Sequence, residues 1–517
     1  MNKIIYIIII SGCILFSSCN DWLDILPKNE QVTDNFWKSK EDVEAVVVSG
    51  YYYMRQASEE IIDWGELRGA SIYYFGGTGS QQTKLQNFQL IPADPISNWA
   101  TVYKVINMAN SVINYAPRVM DIDPTYSDGA MNSHLTEAYF MRALMNFYLV
   151  RNFKEAPLIL EPYVTDRAPF SIAKSSEEEI MAQIKTDIIT AITSNAAKEF
   201  FVNEDWEGAS KGRSTIWSLY ALMAEASLWS QDYDECIEYA DNLINATASR
   251  RPAFITIPTQ WFSIFNPGNS NESIFELNWD GTTYNQTSGS PSNYFNISAN
   301  ASRQFTETMM MRLMLEDEEI AATGKELVRS RFGAYVPVGE TDEFMAGCIW
   351  KYNGTEVKDQ GVMRINNDAN WIIYRMADII LMKAEALIWK DENGWQEAVD
   401  LINMIRLRAN LEPLDITLSE MDEESMLNLV LHERDIELAA EGKRWYDLVR
   451  FGKSKNFRYK DSFITIITDN NATANDSWIR SVLQNNYAWY LPIFERELEV
   501  NTLLTQNPYY GVTSDTN

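Results

Sequence analysis

The sequence predicts a mainly α fold in which paired helices form a frame and a loop-rich second half packs on it. Three observations predict this. Apolar residues recur three and four positions apart through much of the first half of the chain and again from about 371 to 452. Some of these stretches are split by a short turn, as two antiparallel helices are. Two long stretches, about 57–96 and 250–370, lose the helical period and are rich in Gly, Ser, Asn and Thr, with aromatic residues scattered through them.

Each element has its own justification. SKEDVEAVVVSGYYYMR carries Ser39 and Asp42 at capping-box spacing and predicts a helix over about 36–56. From about 97 to 117, Trp99, Val102, Tyr103, Ile106, Ala109 and Ile113 fall on one face, and the helix is expected to stop before Pro117. From about 133 to 152, Leu135, Ala138, Tyr139, Arg142 and Asn146 share a face flanked by apolar neighbours. From about 176 to 195, Ile180, Ile184 and Ile188 stack four residues apart, with acids in the first turn where the helix dipole favours them. The stretch 212–245 reads as two helices joined near Gln231–Tyr233. Ala224, Leu228, Trp229, Tyr233, Ile237 and Ala240 give it the small–large alternation of a tetratricopeptide-like hairpin. A second such pair, WIIYRMADIILMKAEALIWK followed by GWQEAVDLINMIRLRAN, fills about 371–410, and 423–452 completes the set. Helix pairs of this kind cannot bury their apolar faces alone, so roughly four of them are expected to stack.

Composition narrows the function. The chain has 517 residues, 46% hydrophobic and 22% charged, enough for a large core. Its net charge of −29 repels nucleic acid and anionic headgroups, so a phosphate-tracking role is excluded. The 16 Trp and 26 Tyr are either core or flat surface on which a ligand stacks. The N-terminus, MNKIIYIIIISGCILFSSCNDWLD, has a single basic residue, Lys3, and an apolar run from Ile4 to Phe16, followed by Ser17 and Ser18. This reads as an export signal over 1–18, with Cys19 as the acylated first residue of the mature chain. The rival acceptor is Cys13 in ISGC, behind a shorter apolar stretch. Cys236 and Cys348 have no CxxC neighbour, so zinc and redox motifs are absent, and Cys236 is expected to be buried packing.

The stretch HERDIELAAEGKRWYDLVR, residues 432–450, crowds acids and bases around Trp445 and Tyr446. Glu433, Glu437 and Glu441 recur four residues apart and repel one another unless cations reach them. Arg434, Lys443, Arg444 and Arg450 are placed to do so, and Arg375, Asp378 and Glu385 are expected in the same network, with Gly442 as a left-handed helix cap. A glycosidase would need two facing carboxylates, one with a raised pKa. Acids among arginines are shifted the other way, so the stretch is read as a structural clasp and no catalytic residue is assigned. The two histidines, His134 and His432, are read as satisfied core or surface residues. No GxSxG, HExxH or P-loop appears, LEDEEI is a solvated helix face, and neither a metal nor a cofactor is expected.

Six segments in order behind the Cys19 site then carry a resemblance: CNDWLDILPKNEQVTDNFWKSKEDVEAVVVSGYY, EAYFMRALMNFYLVRNFKEAPLI, YRMADIILMKAEAL, LINMIRLRA, ERDIELAAEGKRWYDLVRFGK and LPIFERELEVNTLLTQNPYYG. Together they resemble the SusD/RagB-like family of outer-membrane lipoproteins of Bacteroidota, along the whole chain. Two departures stand out: the usual Gly of the NFKEAP region is missing, and the usual Pro-x-Pro near the C-terminus is Pro492-Ile493-Phe494. The resemblance implies that 19–517 forms a single unit whose tetratricopeptide-like pairs build a right-handed superhelical scaffold. It implies a non-catalytic, lipid-anchored protein on the outer membrane, facing the exterior. Such a protein captures oligosaccharide or polysaccharide, or in some members peptides, and sits as a lid on a SusC-like TonB-dependent transporter. Asp21 and Asp24 resemble the export tag of such lipoproteins.

A sugar offers flat CH faces and a rim of hydroxyls, so its site needs aromatic planes beside polar side chains. By position in the family, Trp64, Tyr73 and Tyr74 represent the early binding loop, and Trp279, Tyr284 and Tyr294 the long insertion. Arg68, Asn278 and Asp280 are their polar partners. For Trp279 the competing expectation is an inward ring, because SIFELN before it alternates like a strand. The alternatives to a glycan-binding protein are the same scaffold holding oligopeptides, and a glycoside hydrolase.

Overall fold

The computed structural model describes residues 36–164, 171–201, 211–295, 302–329, 349–355, 364–471 and 475–511. The expected signal segment, both candidate lipid sites Cys13 and Cys19, the acids Asp21 and Asp24, and Cys348 lie outside these residues.

The longer helices are α1 (Lys40–Gln56), α2 (Ser58–Glu66), α3 (Ala100–Ile122), α4 (Asp128–Phe153), α5 (Glu177–Thr193), α6 (Ile216–Trp229) and α7 (Tyr233–Ile244) in the first half. After the second loop region come α8 (Glu307–Thr323), α9 (Met376–Lys390), α10 (Trp395–Arg408), α11 (Glu423–Glu437), α12 (Arg444–Phe457), α13 (Lys460–Asn470) and α14 (Asp476–Leu483). Four short strands, β1 (Ile72–Phe75), β2 (Ser273–Leu277), β3 (Ser302–Phe305) and β4 (Trp371–Arg375), make two antiparallel pairs, β1 with β3 and β2 with β4.

The frame is a run of neighbours. α1 packs on α3, α3 on α4, and α4 on α5; α6 and α7 form a hairpin, and α7 lies against α9, which pairs with α10 and touches α11. These are stacked helix pairs, as the periodicity requires. Ser39 closes the predicted capping box on Asp42, and Ser176 closes another on Glu179. Cys236 is fully buried on α7.

Three expectations about the elements need correction. α3 does not stop before Pro117 but runs through it to Ile122. A proline removes one backbone bond; burial of Ala116 and Val119 on either side of it, and a bond of 2.8 Å from the Lys40 amide to the Asp123 carboxylate at the helix end, hold the extra turn. The first five residues of 371–410 form β4, not helix: the run WIIYR pairs with β2 and is buried throughout. Gly442 is not the cap of α11, which ends at Glu437 with Leu438 as its cap. Gly442 instead lies in the turn before α12 with φ +77°, and a Cβ on Gly65 of α2 would stand 2.3 Å from its carbonyl oxygen. Glu66 accepts hydrogen bonds from the amides of Gly442 (2.6 Å) and Lys443 (3.1 Å), so α2 anchors the turn.

The 432–450 stretch is a clasp. Arg375 is fully buried and reaches Glu272 (3.0 Å), Glu437 (2.7 Å) and Glu441 (2.8 Å), which binds β4 to the end of α11. Arg408 joins Glu272 and Glu437, Arg434 joins Asp378 and Asp447, and Arg450 joins Glu385 and Asp447. Burial alone would raise the Glu437 pKa; Arg408, Arg375 and Arg329 overcome it and hold the carboxyl well below its ordinary value. Glu441 and Asp447 are also lowered, their cations outweighing burial. Glu433 departs from the expectation: burial raises its pKa, Glu316 adds to that, and Arg329 only partly offsets it.

Candidate ligand-binding cleft

The candidate site begins with a helix that has two working faces. On α1, Val43, Val47, Tyr51 and Met54 are buried, and Tyr51 is held by a 2.8 Å bond from its hydroxyl to Glu137. Val48, Tyr52 and Arg55 recur at i, i+4 and i+7, so they project together from another side. Tyr52 is about half exposed, at 48%. This side forms one wall of a cleft of about 840 Å³.

The opposite wall is the loop that follows β2. The Trp279 amide donates to Asn370 Oδ1 (3.0 Å) and its indole Nε1 to the Ser288 carbonyl (2.9 Å). The ring is buried at 6% exposure and packs in the main core, the inward placement that the alternation before it anticipated, with only its margin on the cleft. Asp280 accepts from the amides of Thr282 (3.0 Å) and Thr283 (2.6 Å), and these bonds hold its pKa down. The turn they close carries Tyr284, 58% exposed. Arg55 crosses between the walls. Its Nη1 donates to the Asn278 carbonyl (3.1 Å) and to Gln286 Oε1 (2.7 Å), and its guanidinium carbon lies about 6 Å from the Tyr52 and Trp279 ring centres (5.9 and 6.0 Å).

The back of the cleft is polar and partly unsatisfied. Asn370 Nδ2 and the Asn269 amide both donate to Glu276, whose pKa burial nevertheless raises. Lys211, next to the cleft residue Gly212, is pushed down to about 8 by burial, with Glu276 pulling the other way. The side-chain amide of Asn278 is buried, and neither its oxygen nor its nitrogen has a hydrogen-bond partner among the described residues. An unpaired buried amide is costly, and a ligand hydroxyl is the kind of group that removes the cost.

Of the residues singled out from sequence, the structure brings Asn278, Trp279, Asp280 and Tyr284 together in this cleft. It places the others elsewhere. Trp64 is fully buried, donating to the Ile96 carbonyl (2.8 Å) with its ring edge-on to Phe153. Arg68 is buried with its guanidinium 4.3 Å from the Trp445 ring centre, bonded to the Trp489 carbonyl and Asn152, and burial lowers its pKa to about 10. Both therefore serve the interior under α12. Tyr73 and Tyr74 are half-buried on β1; the Tyr73 hydroxyl donates to Gln304 of β3 (3.0 Å) and Arg303 lies over the Tyr74 ring. Tyr294 is buried behind the Trp279 loop, its hydroxyl bonded to Gly289 and Ser58. Sequence reasoning missed Tyr52, Arg55, Gln286, Arg364 and Asp368, which also line the cleft. The signal for Tyr52 was present, because the residue after an inward Tyr51 is turned about 100° away on a helix. Arg55, four residues after Tyr51, lies at the margin of the buried side and carried no such signal.

With this geometry in place, the comparisons with known proteins agree on one family. A family model described as the SusD family matches residues 333–510, and a second, described as starch-binding associating with outer membrane, matches residues 21–228. The SusD-like protein P25 of Formosa agariphila is 23% identical, with 98% of each chain covered. A SusD superfamily protein of Bacteroides thetaiotaomicron superposes with a TM-score of 0.68 at 21% identity, over 92% of this chain and 99% of that one. A laminarin-binding SusD-like protein superposes with a TM-score of 0.65 at 22% identity, over 91% and 99%. The chain belongs to the SusD/RagB-like family.

Proposed function

We propose that this protein is a non-catalytic, cell-surface glycan-binding lipoprotein. It is anchored to the outer membrane through Cys19, behind a signal over 1–18, and faces the exterior. It captures oligosaccharide in the cleft between α1 and the 278–289 loop and passes it to a SusC-like TonB-dependent transporter. The observation that carries the reading is the meeting, in one open cleft, of two exposed tyrosines with an unpaired amide: Tyr52 and Tyr284 beside Asn278, with the margin of Trp279 between them. That is the composition a saccharide requires, ring faces for its CH surfaces and amides for its hydroxyls. The family model described as starch-binding and the laminarin-binding structural neighbour point to the same ligand class.

The test is a glycan array on the soluble form beginning just after Cys19, followed by calorimetry on the variant Tyr52→Ala/Tyr284→Ala. Loss of both exposed rings is expected to weaken binding at least tenfold while the unfolding midpoint shows the chain still folded, taking as a guide the about 1–3 kcal/mol per ring found for nucleic-acid bases stacked on aromatic side chains. Undiminished affinity in the folded variant would remove the cleft from consideration. New reducing ends on incubation with a bound polysaccharide would replace the binding reading with hydrolysis.

A further inference from the structure

The charges around the cleft do not cancel where they stand. Two carboxylates line it, and both are engaged by the protein itself. Asp280 accepts from the two loop amides described above. Asp368 accepts from the Gly281 amide (3.2 Å) and pairs with Arg364 at 3.6 Å. Arg55 has no such partner. Its two hydrogen bonds run from one nitrogen, Nη1, to neutral oxygens, and among the described residues no carboxylate forms an ion pair with it. Its Nε and Nη2 edge bonds to no described residue.

That edge is the fork which holds a carboxylate or a sulfate through two parallel N–H bonds. Partial burial lowers the Arg55 pKa, and the neighbour that opposes this shift is the Tyr52 phenol. A partly desolvated guanidinium without a counter-ion is unfavourable. Holding the loop does not explain it either, because Nη1 alone makes both loop contacts. The unusual feature is also local: in a chain of net charge −29, Arg55 presents a cation to the cleft with one hydrogen-bonding edge unused, whereas the carboxylates beside it accept from the loop.

We propose that the ligand of this cleft is an acidic saccharide, one whose uronate carboxylate or sulfate ester sits on the Nε–Nη2 edge of Arg55 while its sugar faces lie against Tyr52 and Tyr284. This rests on the glycan-binding reading above and names the class of glycan. The anionic group supplies the counter-ion that Arg55 lacks, and the sugar hydroxyls reach the Asn278 amide. Selectivity follows from the rest of the chain. Its negative field repels polyanions in general, so an acidic glycan is retained only where its charge meets this fork.

The experiment uses an array holding uronate-bearing, sulfated and neutral oligosaccharides. Each acidic compound that binds is then titrated beside its carboxyl-reduced or desulfated counterpart, against the wild-type protein and Arg55→Gln. Bound features are expected to carry acid groups, and whether these are carboxylates or sulfates distinguishes the two sources. The acidic compound is expected to bind at least tenfold more tightly than its neutral counterpart. Arg55→Gln loosens the facing loop and so weakens binding of both compounds, and is expected to weaken the acidic compound at least tenfold more than its neutral counterpart. If Arg55→Gln unfolds, the wild-type comparison of acidic and neutral counterparts decides alone. Binding confined to neutral glycans, or equal affinity for the two members of a pair, overturns this proposal and leaves the glycan-binding reading standing. An array with no bound feature removes both.

Discussion

At the scale of single residues, Lys154 occupies a backbone position that suits glycine better than lysine. It closes α4 with φ +67°, a conformation that glycine adopts freely and a side chain does not. It stands in the NFKEAP region, three residues before Pro157. Its amine lies over the rings of Tyr487 (5.5 Å) and Tyr490 (5.8 Å), a modest return for the strain. Lys154→Gly is expected to raise stability by about 1 kcal/mol, read as a higher denaturant midpoint with an unchanged slope. A lower midpoint would mean that the ring contacts outweigh the backbone. The candidate site was half legible at this scale. Asn278, Trp279, Asp280 and Tyr284 could be picked out because aromatic and amide residues cluster in a loop. Trp64, Arg68 and Tyr294 misled because the same residue types also fill cores, and no local pattern distinguishes a ring under α12 from a ring facing water.

At the scale of elements, helical spacing and caps made the frame legible: Ser39 and Ser176 begin their helices where the sequence places them. What escaped was set by partners distant in sequence. WIIYR becomes β4 because β2 lies alongside it, and α11 ends early because α2 approaches the following turn. The clasp is the other long-range device, and it carries a prediction. Arg375→Met leaves Glu441, Glu437 and Glu272 short of a shared cation in the interior. The loss is expected to be on the order of 3–5 kcal/mol, measured by urea unfolding. Lys325→Ala, which breaks an exposed pair with Glu412, is expected to leave the midpoint unchanged. Equal effects from the two would show that the buried network contributes no more than a surface pair.

At the scale of the whole molecule, one buried acid ties stability to pH. Glu66 joins α2 to the turn before α12, and burial raises its pKa from 4.5 to about 8 despite the amides of Gly442 and Lys443 that favour its charged form. The folded protein therefore holds this proton more tightly than the unfolded chain does. Its contribution is fully present below pH 4.5 and is lost as pH rises through about 8. Glu66→Gln keeps the acceptor oxygen and never ionises. The variant is expected to gain on the wild type progressively between pH 5 and pH 8, by roughly a few kcal/mol, in melting temperatures taken across that range. Parallel pH profiles for the two proteins would show that Glu66 titrates normally.

The double duty of α1 has an evolutionary consequence. Its inner side is committed to the frame, so the wall bearing Tyr52 and Arg55 is as stiff as the scaffold itself. The facing wall is a surface turn joined to that helix chiefly through the Arg55 side chain. If the cleft binds as proposed, a change of ligand needs only the turn rewritten, with the rod behind it serving as a fixed jaw.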